Sequence, residues 1–325
     1  MNAIIRVLFV DAVPQKNLPL TCLSKLNNQV LCVMICMKGG MIMINVKCDY
    51  KIKEDIGFIL EADKTNYAEL SGKTGISRTT LEEIQRTGKT TPSVCEKFYA
   101  YIYEKGYRIN STKEHLLKEV NPNILFHGSK NGLTEVTHTG ARQNCDFGKG
   151  FYLGETYTQA ISFVFGNKNS SVYSFRYSTE GLKTEMFDCS LDWMLAICYY
   201  RGTLKEYLPN DMITSIITKI ESADLIIAPI ADNKMFYTMA QFTDGEINAD
   251  VALHSLSASN LGLQYIFKTE KAINNLHPIE KYYLCSSERD DYRKKSVERG
   301  YEIDTKIKLA KREYKTGLYI EEILR

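Results

Sequence analysis

The apolar residues between positions 50 and 120 recur at the spacing of an α-helix. They include Ile56 and Ile59 and, after a polar break, Tyr67 and Leu70. This spacing is expected where one face of each helix packs inward. The stretch therefore predicts a small all-helical module of four or five short helices.

Capping residues predict where the helices in the middle of this module begin and end. Gly75 and Ser77 form a tight turn. Ser77 is placed to cap the next helix, because its side-chain oxygen can accept from a free backbone N–H group. Gly88 is expected to end that helix and Pro92 to begin another.

From residue 121 the pattern changes to short runs of β-branched and aromatic residues with helical stretches between them. The strand-like runs are "NILFHG", "GFYLG", "SSVYSFRYS", "EMFDC", "ADLIIAPIAD" and "LQYIFKT", and the helical stretches are "TYTQAISFVFGN", "SLDWMLAICYYRG" and "INADVALHSLSAS". This mixture predicts an α+β domain over residues 121–278. The sequence contains neither the glycine pattern of a Rossmann dinucleotide site nor a P-loop lysine motif.

Residues 279–325 mix charges of both signs. Their basic cluster consists of Arg293, Lys294, Lys295 and Arg299. Mixed charge of this kind is typical of a solvated helical face. We expect a charged helical tail after the α+β domain.

An apolar stretch, "QVLCVMICMKGGMIMINV", begins within the first forty residues and continues to residue 46. Lys38 and two glycines interrupt it before it reaches the roughly 18 residues that a membrane-spanning helix needs. Lys-Gly-Gly-Met can be encoded by a bacterial ribosome-binding sequence followed by a start codon. We expect translation to begin at Met41 or Met43, so that residues 1–40 are a misassigned start outside the fold. A genuine N-terminal extension is the alternative, and no membrane association is predicted.

Composition adds little to this organisation. The chain has 325 residues, 44% of them hydrophobic, and a net charge of +2. The length is sufficient for two domains, and the even charge balance gives no argument that the whole chain binds nucleic acid. Nine cysteines without a C-x-x-C pair favour free thiols in a reduced cytoplasm over a metal site.

The helical module resembles the helix-turn-helix of small phage-repressor-type DNA-binding domains. The matching residues are Ala68, Gly75, Ile76, Ser77, Leu81, Ile84 and Gly88, with Leu81 and Ile84 pointing inward. In such modules the second helix enters the major groove. The DNA-facing residues that the resemblance implies are Arg78, Thr79, Thr80 and Arg86. Glu82 and Glu83 on the same helix oppose DNA binding, so a protein-docking module is the alternative.

Four sequence blocks follow one another in the α+β domain. They are His127-Gly128-Ser129, Asp146 to Tyr152 ("DFGKGFY"), Asp224 to Asp232 ("DLIIAPIAD") and Gln264 to Thr269 ("QYIFKT"). Together they resemble the NAD-binding core of ADP-ribosyltransferases, and more closely an uncharacterised bacterial domain family placed in that superfamily. The resemblance covers nearly half of the chain and implies a split β-sheet core.

The resemblance implies an NAD site in which the nicotinamide–ribose bond is exposed. His127 would hydrogen-bond the ribose, and the backbone of Gly128 would approach the carboxamide because no Cβ intervenes. Tyr152 would stack on the nicotinamide ring. The other residues that the blocks assign to NAD binding are Ser129, Asp146, Gly150 and Asp232.

Gln264 occupies the position where the superfamily usually carries a glutamate that holds the ribose 2′-hydroxyl group. We expect it to be catalytic together with His127 and Tyr152. An amide can still hold a hydroxyl group, but it cannot take a proton. The acceptor is therefore expected to be nucleophilic already, or the base to come from elsewhere, with Asp146 and Asp232 as candidates.

The preferred hypothesis is a cytoplasmic NAD-dependent ADP-ribosyltransferase, bacterial or phage-borne, that acts as a toxin or effector on a protein or nucleic acid. An antitoxin or regulator protein would be its partner, and no metal is expected. The first alternative is a non-enzymatic DNA-binding regulator with a degenerate nucleotide-sensing domain. The second, an RNA 2′-phosphotransferase, is disfavoured because only Arg142 and Lys149 supply basic groups near the site.

Overall fold

The computed structural model describes residues 35–38, 41–46, 48–140, 145–231, 233–257, 261–314 and 316–325. The strands are β1 (Ile35–Lys38), β2 (Met41–Asn45), β3 (Ile124–Ser129), β4 (Glu135–Val136), β5 (Phe151–Gly154), β6 (Ser171–Tyr177), β7 (Thr184–Met186), β8 (Leu225–Pro229), β9 (Leu263–Phe267) and β10 (Leu276–Tyr283). The helices are α1 (Ile52–Ala62), α2 (Tyr67–Thr74), α3 (Arg78–Thr87), α4 (Pro92–Glu104), α5 (Ile109–Val120), α6 (Tyr157–Ser162), α7 (Leu191–Arg201), α8 (Asp211–Ser222), α9 (Asn233–Thr243), α10 (Ala249–Ser257), α11 (Glu270–Ile273), α12 (Ser286–Glu313) and α13 (Ile320–Ile323).

Seven strands form the central sheet in the order β10-β6-β3-β5-β9-β8-β7. Neighbouring strands are antiparallel except β7 and β8, which are parallel. Helices α6 to α10 pack on one face of the sheet, where the buried side chains include Ile226 and Ile266. The other face is covered by α11 and by the small sheet β1-β2-β4. The prediction of an α+β chain with an N-terminal helical region is confirmed.

The predicted helix boundaries in the N-terminal module are confirmed. The Ser77 side chain caps α3 by accepting from the backbone N–H of Thr80, and Gly88 ends the helix in the left-handed conformation at φ 72°. Pro92 is the first residue of α4. Leu81 and Ile84 are buried in the core of the module. These boundaries follow from interactions within one or two turns of helix, which a sequence pattern can report.

The sheet continues past the predicted domain boundary at residue 278, because that boundary lies inside β10. Two features of β10 obscure the alternation expected of a strand. Pro278 lies beside a register shift on an edge strand, where the missing N–H is tolerated. Glu280 is a charged residue on the buried side of the strand. The tail that was predicted to begin at residue 279 therefore contributes the last residues of the sheet before α12.

A buried ion triad joins the helical module to the central sheet. Lys113 on α5 lies 2.7 Å from a carboxylate oxygen of Asp55 on α1 and 2.7 Å from one of Glu280 on β10. The Tyr99 hydroxyl donates to Asp55 at 2.6 Å. Burial lowers the pKa of Lys113, but the two carboxylates outweigh this effect and raise it overall. The module is thus connected to the sheet by charged groups that are almost completely buried.

Helix α12 contacts the rest of the protein mainly at its two ends. Near its start, Asp291 accepts a hydrogen bond of 2.6 Å from the Tyr103 hydroxyl on α4. Near its end, Lys311 donates to Gln241 on α9 at 3.0 Å. Residues 293–299 between these contacts are exposed, including the basic cluster.

Residues 1–34, 39 and 40 lie outside the described residues. Residues 35–38, which sequence reasoning placed outside the fold, form β1 and pair with β2. β2 in turn pairs with β4. In the part of the chain that the structure describes, no helix is both long and apolar enough to cross a bilayer.

Candidate functional site

The three residues predicted to be catalytic come from three adjacent strands. His127 lies on β3, Tyr152 on β5 and Gln264 on β9, and β5 lies between the other two strands. Gly154 pairs with both Phe126 and Gln264, which sets the register across the three strands. Because neighbouring strands lie about 4.8 Å apart, the backbones at His127 and Gln264 are separated by roughly 10 Å.

The sheet is least continuous between β3 and β5. These strands share a single residue pair, Phe126 with Gly154, whereas β3 pairs with β6 along its whole length. Beyond that pair, His127 Nδ1 lies 2.8 Å from the carbonyl oxygen of Tyr152. The imidazole therefore takes the place of a backbone donor where the two strands separate.

This hydrogen bond determines the tautomer of His127. A carbonyl oxygen only accepts, so Nδ1 carries the proton and Nε2 of the neutral ring is a bare acceptor. Burial lowers the pKa of His127, which keeps the ring neutral at pH 7. Among the described residues, Nε2 has no hydrogen-bond partner. The ring stacks on Phe151 with the centroids 4.4 Å apart.

His127 and Gln264 point to opposite faces of the sheet. Phe151, which the His127 ring contacts, packs in the core on the side of α11. Gln264 alternates with Tyr265 and shares the face of Ile266, which packs under α7 to α10. The structure thus brings the three strands together without placing the His127 ring and the Gln264 amide on one face.

The Tyr152 hydroxyl group braces the "DFGKG" loop. It donates to the carbonyl oxygen of Gly148 at 2.7 Å and accepts from the backbone N–H of Phe147 at 3.1 Å. Burial raises the pKa of Tyr152, so the hydroxyl stays protonated. Because the hydroxyl group already donates one hydrogen bond and accepts another, the ring is the part of Tyr152 that can contact a ligand.

Gln264 belongs to a buried polar cluster with Asp146 and Arg201. Its Nε2 lies 3.2 Å from Asp146 Oδ2 and 3.0 Å from the carbonyl oxygen of Pro229. Arg201, at the end of α7, donates to Asp146 Oδ1 from Nε at 3.2 Å and from Nη2 at 2.6 Å. Its guanidinium carbon lies 4.0 Å from the centre of the Phe236 ring.

Burial raises the pKa of Asp146, and the hydrogen bonds from Arg201 and Gln264 counteract this effect. Sequence reasoning included Asp146 but missed Arg201. Arginine is common in the last turn of a helix because its positive charge interacts favourably with the negative end of the helix dipole. Its position in the sequence therefore carries no signal of this role.

Gly128 and Gly150, which the resemblance assigns to NAD binding, are required by packing within the protein. A Cβ at Gly128 would lie 2.3 Å from the carbonyl oxygen of Ala160 on α6. A Cβ at Gly150 would lie 2.5 Å from Ile266 Cγ2. The space that was assigned to a ligand at Gly128 is therefore filled by helix α6. Ser129 Oγ, also assigned to NAD, donates to the carbonyl oxygen of Gly132 at 2.6 Å.

Replacing Gly128 with alanine is expected to lower the free energy of unfolding by about 2 kcal/mol or more, because the new methyl group meets a backbone carbonyl that cannot move aside freely. Gly166→Ala is the matched control, since a Cβ there meets nothing within 4 Å. Its effect should stay within about 0.5 kcal/mol. Urea unfolding measures both, and equal stability of the two variants would contradict the packing role.

Two other residues of the sequence hypothesis, Asp232 and Arg142, lie outside the described residues. Among the residues that the structure does describe, no group of three His, Cys, Asp or Glu side chains could hold a metal ion.

The predicted DNA-facing residues lie on the exposed side of α3. Arg78 pairs with Glu82 at 2.8 Å and Arg86 with Glu83 at 2.7 Å, both within the helix. Thr79 and Thr80 line a groove of about 380 Å³ between α3 and α4. The pairing offsets the positive charge that phosphate contact needs, and DNA binding stays a prediction.

Comparison with known protein families identifies a match in the α+β domain. Residues 123–277 match a family described as "Protein of unknown function (DUF3990)". No curated protein and no solved structure was found to match the chain. The matched segment begins one residue before β3 and ends inside β10. Somewhat less than half of the chain, including His127, Tyr152 and Gln264, is therefore similar to this family of unknown function.

Proposed function

We propose that residues 121–278 bind NAD and transfer ADP-ribose to a macromolecular acceptor, either a protein or a nucleic acid. The observation that carries the proposal is that His127, Tyr152 and Gln264 lie on three adjacent strands, where a single residue pair joins β3 and β5. A gap of this kind supports the split-sheet core that the sequence blocks imply.

The side chains around the opening between β3 and β5 can form the contacts that a dinucleotide needs. His127 Nε2 is an unpaired acceptor for a ribose hydroxyl group. The Gln264 amide uses its two N–H groups inside the protein, which leaves its oxygen as an acceptor for a second hydroxyl group. The Tyr152 ring offers a flat surface for the nicotinamide. Because NAD is long and would lie across the gap, it can contact groups on both faces of the sheet.

In the proposed reaction the bond between ribose C1′ and the nicotinamide nitrogen breaks, and nicotinamide leaves with the bonding electrons. A nucleophilic atom of the acceptor forms the new bond to C1′. The protein contributes by positioning the ribose and stabilising the charge that develops on the sugar. Both oxygens of Asp146 are engaged with Arg201 and Gln264, which favours an acceptor that needs no base, such as a carboxylate or phosphate.

The same observation favours a second candidate function, NAD sensing without turnover. Gln264 cannot take a proton, and Asp146 is fully hydrogen-bonded in the described structure. A chain that binds NAD but lacks a base would serve as a nucleotide-responsive regulator, with the helical module as its output.

The test uses the full chain and NAD labelled in the nicotinamide ring, incubated with separate pools of protein, RNA and DNA. We expect nicotinamide release with one pool, and His127→Ala should reduce it by at least about ten-fold because the ribose is misplaced. His277→Ala is the matched control, since His277 is a half-buried strand histidine on β10. Its rate should equal that of the wild type.

NAD binding without nicotinamide release in any pool would support the sensor and exclude the transferase. A full-length protein that does not bind NAD would exclude both functions.

A further inference from the structure

The orientation of the Gln264 amide is determined by its neighbours. One end of the amide faces two acceptors, Asp146 Oδ2 and the carbonyl oxygen of Pro229. Only the NH₂ group can face two acceptors, because the opposite orientation would place three oxygens together without a proton. The amide oxygen is therefore the group that points away from this cluster, and the described residues give it no hydrogen-bond partner.

Asp146 is itself held in place. Arg201 donates to Oδ1 from two nitrogens at 3.2 and 2.6 Å, and Gln264 Nε2 donates to Oδ2 at 3.2 Å, so both carboxylate oxygens are held. Phe236 lies against the guanidinium group. Asp146 and Gln264 are both buried, with 7% of each residue exposed. This series of contacts, from Phe236 through Arg201 and Asp146 to Gln264, leaves the amide oxygen of Gln264 available to a ligand.

We propose that Asp146 is a positioning residue which, clamped by Arg201, fixes the Gln264 amide so that its oxygen is offered to a hydroxyl group of the ligand. The inference rests on the proposed function and specifies the ligand group that this site selects. A ribose hydroxyl group can donate to the fixed oxygen, whereas a carbonyl or an ether oxygen at the same place cannot. Discrimination of this kind is strong because an unmatched buried acceptor is costly.

The pairing also predicts how the site responds to an acidic residue at position 264. Gln264→Glu would place two carboxylates within about 3 Å of each other while Asp146 remains. The two groups would then share one proton over the neutral range. Exchanging both residues, Asp146→Asn with Gln264→Glu, restores one carboxylate and one amide in reversed positions.

The experiment measures NAD binding to the full chain by calorimetry between pH 5 and 8. Asp146→Asn and Gln264→Glu should each weaken binding at least ten-fold at pH 7.5, and the double variant should recover to within three-fold of the wild type. Affinity of Gln264→Glu should rise as the pH falls, because protonation of one carboxylate restores a donor between the two groups. Wild type and double variant should lack this pH profile. Arg201→Lys, which keeps the charge but loses the two-nitrogen contact with Oδ1, should weaken binding by an intermediate factor.

A second pair of a glutamine and a carboxylate provides the control, although here the carboxylate of Glu246 is exposed. Gln241 Nε2 donates to Glu246 at 2.9 Å, and Gln241 is 9% exposed. The exchange Gln241→Glu with Glu246→Gln should leave NAD affinity within two-fold of the wild type. If the losses of the two single variants at positions 146 and 264 simply multiply in the double variant, the positioning role is wrong.

Unfolding midpoints in urea separate this inference from the proposed function. The two single variants should lower the midpoint and the double variant should restore it, whether or not NAD binds. If the double variant regains stability but the protein does not bind NAD, the proposed function is wrong, while the positioning of the Gln264 amide by Asp146 is supported. If the losses of stability in the two single variants add up in the double variant, Asp146 does not position the Gln264 amide, even if NAD binds.

Discussion

Replacing Lys113 with methionine is expected to lower the free energy of unfolding by about 3–5 kcal/mol. Methionine retains most of the apolar stem but removes the charge that pairs with Asp55 and Glu280, each at 2.7 Å. Among the described residues, the two buried carboxylates would keep the Tyr99 hydroxyl group, which donates to Asp55, and Lys51, which lies 3.6 Å from Glu280. Removing one member of a buried ion group is costly because the remaining charges stay uncompensated.

Two further variants make this test specific. Lys73→Met removes an exposed partner of Glu69 and should change stability by less than about 0.5 kcal/mol. Combining Lys113→Met with Asp55→Leu and Glu280→Met replaces the whole triad by apolar groups and should recover most of the loss. Urea unfolding of the full chain measures all variants. If the triple replacement is no more stable than Lys113→Met, the loss comes from packing and not from unpaired charge.

Glu288→Gln is expected to change the pH dependence of stability by on the order of 3 kcal/mol. Glu288 on α12 is buried between α5 and α6, where it accepts from Asn110 Nδ2 at 3.0 Å and from the Tyr157 hydroxyl at 3.1 Å. Burial raises the pKa of this carboxyl from 4.5 to about 7. The sign follows from the protons bound in each state. Between pH 4.5 and 7 the folded state holds a proton that the unfolded state has released, so this group makes stability fall as the pH rises.

Glutamine imitates the protonated acid and removes this dependence. Asn110 Oδ1 is buried and has no partner among the described residues. It can accept from the new amide once the Asn110 side chain turns. We expect Glu288→Gln to be more stable than the wild type at pH 8 and similar to it at pH 4.5. Glu298→Gln on the exposed part of α12 is the control and should leave the profile unchanged. Parallel profiles for wild type and Glu288→Gln would contradict the raised pKa.

Much of the local structure could be predicted from the sequence. The turn between α2 and α3, the cap at Ser77 and the end at Gly88 were predicted because each depends on residues within one helical turn. Six strand-like runs in the α+β domain each overlap a strand of the sheet. The helices α8 and α9 and the strand β10 were not predicted, and in β10 the alternation is hidden by Pro278 and the buried Glu280.

The candidate site was predicted in part. The blocks around His127, Tyr152 and Gln264 lie on adjacent strands, but Arg201 and the role of Gly128 in packing against Ala160 had no sequence signal. Neither contact is local: Arg201 reaches Asp146 from 55 positions away. Such partners are set by the path of helices over the sheet, which no short pattern encodes.

By itself the sequence determined the class of each segment, helical from 50 to 120 and mixed α+β from 121, because hydrophobic periodicity depends on neighbouring residues alone. Only the tertiary structure decided which residues meet. It placed His127 and Gln264 on opposite faces of the sheet, and it joined Lys113 to Glu280 across 167 positions. Strand order and helix packing select these pairs, since burying a charge or an amide is tolerated only where the complete fold supplies its partner.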